Sequence, residues 1–232
     1  MTKNNFLYKK IIFNIGKFFD KFFFTNFYEK STNYYHQYHL NDYEFPKNKI
    51  AFIHAPKIGG LTIWNCLKSS DKIFKFQRNS KHNPVSFSCS PKDYKYITFL
   101  RDPIDRVYSH YQMNLRDGHP YAKKGLSFFL QNNWEVRNIY CQYYSGFVRE
   151  NINDDIFNIA KENLQNFFFI GFFDNFKYDL ENLLKKLSIE HDNITHINKG
   201  EYKEISENQK KIIKSYNLYD IKLYEFFRDK NK

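Results

Sequence analysis

No run of 18 consecutive apolar residues occurs in the 232-residue chain, which excludes a transmembrane helix. Cysteine is scarce: Cys66, Cys89 and Cys141 are odd in number, far apart and outside any CxxC pair, so neither a disulfide framework nor a zinc site is indicated. A reducing, cytoplasmic compartment is the expectation. With 8 glycines and 6 prolines the chain is no collagen-like or low-complexity polymer. Acidic residues are also short, 25 against 36 Lys plus Arg, and the resulting +11 points to an anionic partner: nucleic acid, an acidic lipid surface, or a phosphorylated or sulfated small molecule. Charge alone does not choose among them. What is abundant is aromatic, 26 Phe and 19 Tyr, within an otherwise ordinary 42% apolar and 26% charged composition that can fill the core of one sizeable domain. Lysine outnumbers arginine 29 to 7, and with frequent Asn and Ile this is the bias of an AT-rich coding sequence. Only part of the +11 is therefore assigned to a site.

From Phe6 to Tyr28, Tyr8, Ile11, Ile12, Ile15, Phe18, Phe19, Phe22 and Phe23 recur at helical spacing, with Lys10, Asn14, Lys17 and Lys21 opposite. This predicts an amphipathic helix, either packed on the domain or a partner subunit, or lying peripherally on a membrane surface. Charges at 9, 10, 17, 20 and 21 interrupt any secretion-signal core. Residues 29–48 read as a linker, so 1–48 form one segment and 49–232 the domain. Within the domain, apolar runs at 50–54 (IAFIH), 72–76 (KIFKF), 94–100 (YKYITFL) and 167–173 (FFFIGFF) predict strands. Helical spacing follows at 60–69, after the RDP at 101–103, at 174–187 with Asp174 as cap, and from Ser206 to Phe227 as one final helix. Alternation of strand and helix implies an α/β fold with a parallel sheet covered on both faces.

Two turns concentrate the chemistry. FIHAPKIGGLT, 52–62, brings Lys57, Gly59, Gly60 and Thr62 between a strand and a helix, where backbone N–H groups, an ammonium and a hydroxyl converge into an anion cradle. Glycine lets the backbone approach a phosphate closely. The lysine precedes the glycines, so the GxxxxGK[ST] pattern of nucleoside triphosphatases is absent. TFLRDPIDRVYSHY, 98–111, puts Arg101 at a strand end and Ser109 two turns into the next helix, a fork and a hydroxyl that can share one phosphate. Taken singly, each segment also reads as an ordinary turn with an incidental basic residue.

Together, PKIGGLT at 56–62 and RDPIDRVYSHY at 101–111 resemble the two cofactor motifs of the carbohydrate O-sulfotransferases that use 3′-phosphoadenosine 5′-phosphosulfate (PAPS), the group related to the heparan and chondroitin sulfate enzymes. NIYCQYYSG at 138–146, 167–187 and the stretches HINKGEYKEIS and NLYDIKLYEFF between 196 and 227 extend the likeness in the same order. The resemblance implies a P-loop-like nucleotide-binding sheet flanked by helices. It implies that Pro56, Lys57, Ile58, Gly59, Gly60, Leu61 and Thr62 hold the 5′-phosphosulfate, Arg101 and Ser109 the 3′-phosphate, and that Lys57 neutralises the bridging oxygen as the sulfuryl group leaves. Ile58 and Leu61 stand where the family has threonines, and Asp102 where it often has Asn, setting a carboxylate beside the phosphate site.

A hydroxyl acceptor also needs a base, for which an imidazole suits neutral pH. His82, in SKHNPVSF, matches the position of the family's catalytic histidine; His54 is second, His110 and His119 could face the acceptor, and Glu135 keeps a carboxylate base open. No metal is implied. Arg106, Arg116, Lys123, Lys124, Arg137 and Asn138 are the expected contacts for a glycan or glycolipid acceptor, and nucleic acid is not an expected partner. The rival readings are transfer to a protein tyrosine or small alcohol, an inactive anion-binding relative, and a nucleoside-phosphate kinase.

Overall fold

Short apolar segments flanked by turn residues can satisfy their backbone only side by side, and three of them do. In the computed structural model, which describes residues 43–75, 82–190, 194 and 204–230, strands β1 (Ile50–Phe52), β2 (Lys95–Leu100) and β3 (Phe169–Phe172) form one parallel sheet in the order β1-β2-β3. Ile50 faces Lys95 and Ile97 faces Phe169. Apart from Lys95, the residues of β1 and β2 are buried whichever way they point, as a sheet covered on both faces requires. The helix expected at 6–28 lies outside the described residues, as does all of the linker up to 42.

The described part of the run predicted at 72–76, up to residue 75, is not a strand. Ile73 makes a single bridge to Ile50, and the chain is held there by Ile50 N–H to Lys72 O (2.9 Å) and Phe74 N–H to Ile50 O (2.8 Å). Lys72 and Lys75 on either side are exposed, so the segment lacks the two apolar faces of an internal strand.

The helices are α1 (Gly60–Leu67), α2 (Pro103–Arg116), α3 (Pro120–Lys123), α4 (Leu126–Asn132), α5 (Ile139–Ser145), α6 (Asp154–Gln165), α7 (Phe176–Leu187), α8 (Glu207–Tyr216) and α9 (Leu218–Asp229). Asp102 starts α2, its carboxylate accepting from Ile104 N–H (2.8 Å) and Asp105 N–H (3.2 Å), with Pro103 at the first helical position. Asp174 does not cap the next helix. It sits in a 3-10 turn, Phe173–Asn175, and its carboxylate is taken by Arg228 and the Tyr224 hydroxyl. The tail is two helices, not one: a Ser206–Gln209 capping box opens α8, and the chain breaks at Asn217, whose amide donates to Ile213 O (3.0 Å) and accepts from Asn138 N–H (2.9 Å).

The main core packs α1, α5, α6, α7 and α9 around the sheet and takes in Phe45, which is 4% exposed, so the packed body reaches back beyond the boundary expected at 49. A second core joins Val107, Tyr108 and Tyr111 of α2 to Leu126, Phe129 and Leu130 of α4 and Ile213 of α8. Parallel strands bring their carboxyl ends to one edge. The loop after β1 and Arg101 after β2 therefore emerge as neighbours. No described helix is long and apolar enough to cross a membrane.

Candidate functional site

The sheet ladder continues one residue past β1: Ile53 N–H donates to Ile97 O (2.9 Å), and the Thr98 hydroxyl donates to Ile53 O (2.8 Å). Beyond this anchor the chain turns sharply. Lys57 is left-handed at φ 72°, a conformation that costs a side-chain-bearing residue, and Gly59 is left-handed at φ 83°. Between them Ile58 is fully buried, pinning the turn to the core. The Gly59 carbonyl accepts from Thr62 N–H (3.0 Å) and Ile63 N–H (3.2 Å), and no side chain caps the first turn of α1. Pro56 and Leu61 are half-buried, and Thr62 is 2% exposed.

A Cβ at Gly59 would lie 2.7 Å from the Phe176 ring, in a left-handed conformation that disfavours side chains. Gly59→Ala is expected to destabilise the fold by roughly 1–3 kcal/mol, read as a lowered midpoint in chemical denaturation.

Arg101 is fixed on all sides. Its N–H donates to the Tyr140 hydroxyl (2.9 Å), which donates in turn to Arg101 O (2.7 Å). The guanidinium lies 4.5 Å over the Phe173 ring, Nη1 donates to Lys57 O (3.3 Å), and Nε is buried without a partner. The strained turn and the second loop are thus joined through the Lys57 carbonyl. Lys57 Nζ reaches Met113 Sδ on α2 (3.6 Å). Ser109, half-buried, precedes Met113 by one turn and shares that helix face. Among the described residues no carboxylate lies within 4.0 Å of Lys57 or Arg101. Burial, then the charges of Arg101 and Arg116, push the Lys57 ammonium below the ordinary lysine value, and burial likewise lowers Arg101. Asp105 and Asp102 offset part of the Arg101 charge, and Asp117 part of that of Lys57, from beyond ion-pair distance. Two cations confined at a sheet edge with no carboxylate in contact form a site for an anion. The Asp102 carboxylate, spent on the amides of α2, is turned into the helix end.

His82 Nδ1 lies 2.9 Å from His54 O, and the two rings are 4.4 Å apart. His54 is 8% exposed and stacks on Phe52 (5.5 Å). His110 belongs to the same neighbourhood: burial, followed by the charges of Arg106, Lys57 and His82, pushes its imidazole down to about 3, and its Nδ1 is buried without a partner. The folded state keeps His110 neutral where the unfolded chain, at 6.5, takes up a proton. Its contribution is complete above that value and is lost as pH falls toward about 3, by up to about 1.4 kcal/mol per pH unit. Denaturation between pH 7 and 5 is expected to show a shallower loss of stability in His110→Gln than in the parent.

Several expected acceptor contacts are structural instead. Arg106 is 0% exposed; it donates to Val136 O (2.8 Å) and lies over the Tyr140 ring, and a group without surface meets no acceptor. Asn138 accepts from Tyr219 and Asp220 N–H (3.2 Å each), donates to Tyr216 O (3.3 Å), and so caps α9. Arg137 is held by Gln131 O (2.7 Å), the Tyr216 ring and Glu150. His119 accepts from Tyr121 N–H (3.3 Å) at the start of α3. Glu135 is exposed on the 3-10 turn Trp134–Val136, and Arg116, Lys123 and Lys124 are exposed. Met113, Tyr140 and Phe173 were not foreseen. Met113 stands at i+4 from Ser109, and Phe173 directly follows the third strand, at the edge where His54 and Arg101 emerge. Among the described residues no group of three or more His, Cys, Asp or Glu could hold a metal ion.

No family model matches the chain, and no curated protein is significantly similar to it.

Proposed function

We propose that this is a PAPS-dependent O-sulfotransferase with a P-loop-like sulfotransferase fold, acting on a hydroxyl of a saccharide. The observation that carries the reading is the pair of cations Lys57 and Arg101, with no carboxylate within 4.0 Å among the described residues, joined by the Lys57 carbonyl at the carboxyl edge of a parallel sheet. The residues fit a doubly anionic nucleotide: Arg101 Nε is buried without a partner, and the first turn of α1 carries no side-chain cap. When bound, PAPS supplies the activated sulfuryl group. Lys57 and the amides at the start of α1 hold the 5′ side, and Arg101 with Ser109 the 3′-phosphate. Lys57 would be the residue to donate to the leaving oxygen and offset the charge that grows there. His82 takes the proton of the acceptor hydroxyl as the new oxygen–sulfur bond forms in line. Of the expected acceptor contacts, Arg116, Lys123 and Lys124 keep the exposure needed to meet an anionic glycan or glycolipid. Nothing in this arrangement calls for nucleic acid.

Calorimetry with 3′-phosphoadenosine 5′-phosphate and adenosine 5′-phosphate tests the nucleotide assignment. A charge-assisted contact of about 1.5–3 kcal/mol gives the parent a preference of about 10- to 150-fold for the nucleotide carrying the 3′-phosphate. Arg101→Ala should abolish that preference. Equal weakening toward both ligands would remove Arg101 from the 3′-phosphate.

A further inference from the structure

His54 reaches the two halves of the site through different atoms. Its backbone carbonyl, one residue beyond the sheet anchor at Ile53, meets His82 Nδ1 at 2.9 Å. A carbonyl oxygen only accepts, so Nδ1 must carry the hydrogen, and the lone pair of the neutral His82 ring is on Nε2. The His54 ring lies parallel to Phe52, at 10°, and over the first residue of α1, where a Cβ on Gly60 would fall 1.8 Å from His54 Nε2. Gly60 is therefore glycine to make room for an imidazole, whereas Gly59 also needs its left-handed backbone.

We propose that His54 is a positioning residue: its carbonyl sets the tautomer of His82 while its ring braces the phosphate loop at Gly60, so that the base and the anion cradle form one rigid unit. The catalytic consequence rests on the function proposed above; the tautomer and the brace do not. His54 needs no proton transfer of its own for this role. Because the carbonyl belongs to the backbone, the tautomer of His82 should survive a change of the His54 side chain to another flat aromatic ring.

Nitrogen-detected NMR of the imidazoles in the full-length protein at neutral pH tests the tie directly, with the His82 signals assigned by their loss in His82→Gln. The expected result is His82 as the Nδ1–H tautomer in the parent and in His54→Phe, and a mixture of tautomers in Gly60→Ala, where the new methyl displaces the His54 ring. An Nε2–H tautomer in the parent overturns the proposal and needs no variant to fold. So does an unchanged tautomer in a folded Gly60→Ala. With PAPS and an acceptor, Gly60→Ala should lose turnover by up to about 10²-fold, the scale of a displacement near 1 Å. If the parent has the expected tautomer but transfers nothing, the positioning stands and the sulfotransferase reading falls.

Discussion

Lys57→Ala is expected to lower sulfuryl transfer by about 10²- to 10³-fold, the usual effect of removing one donor aimed at developing charge. The ammonium is half-buried beside Arg101, with no carboxylate within 4.0 Å among the described residues, and burial and like charge, partly offset by Asp117, already hold it below its ordinary value. An anion between the two cations offsets both penalties. Binding should therefore draw a proton onto Lys57 at alkaline pH, visible in calorimetry as a heat that varies with the ionisation enthalpy of the buffer, and Lys57→Ala should lack it. Because the Lys57 carbonyl is a backbone group, its bond to Arg101 can survive the substitution. Nucleotide affinity should then fall less than turnover. Lys57→Ala with parent turnover would remove the lysine from the reaction.

His82→Ala should cost about 10²- to 10⁴-fold in turnover with little change in nucleotide affinity, as for the loss of a general base. Its two neighbouring histidines are poor substitutes. His54 is almost wholly buried against Phe52 and Gly60, and His110 is held neutral by burial and by the nearby Arg106, Lys57, His82 and His119. A base driven down to about 3 accepts a proton only reluctantly. Parent-like turnover in His82→Ala would transfer the role elsewhere, with exposed Glu135 next to be replaced.

The parts of the site that were legible in the sequence are those set by local backbone chemistry. Apolar runs at 50–54, 94–100 and 167–173 contain the three strands, and the turn with Lys57, Gly59 and Gly60 lies between strand and helix as the spacing predicts. The run at 72–76 has the composition of a strand, but its lysines leave it no second face to bury. What sequence could not supply is long-range partnership. Arg106 and Asn138 look like free polar groups following a phosphate motif; contacts with Val136 and with residues 216–220 make them core and cap. Asp174 precedes an apolar helical stripe like any N-cap, yet Arg228, 54 residues away, claims it. Phe173 shows no sign of its role until the fold sets Arg101 on its ring. The closeness of His54, His82 and Gly60 is likewise a product of the fold, since a strand end, a loop and a helix start meet there.

On the proposed function, the paired cations at the sheet edge hold PAPS for transfer to a sugar hydroxyl. Incubating the full-length protein with PAPS carrying a labelled sulfuryl group and a panel of saccharides, with Lys57→Ala alongside, tests it most directly. Label is expected in a saccharide with the parent protein, and at most about a hundredth as much with the variant. Label confined to tyrosine peptides or small alcohols, phosphoryl transfer from ATP in place of sulfuryl transfer, or nucleotide binding without transfer to any acceptor would contradict it.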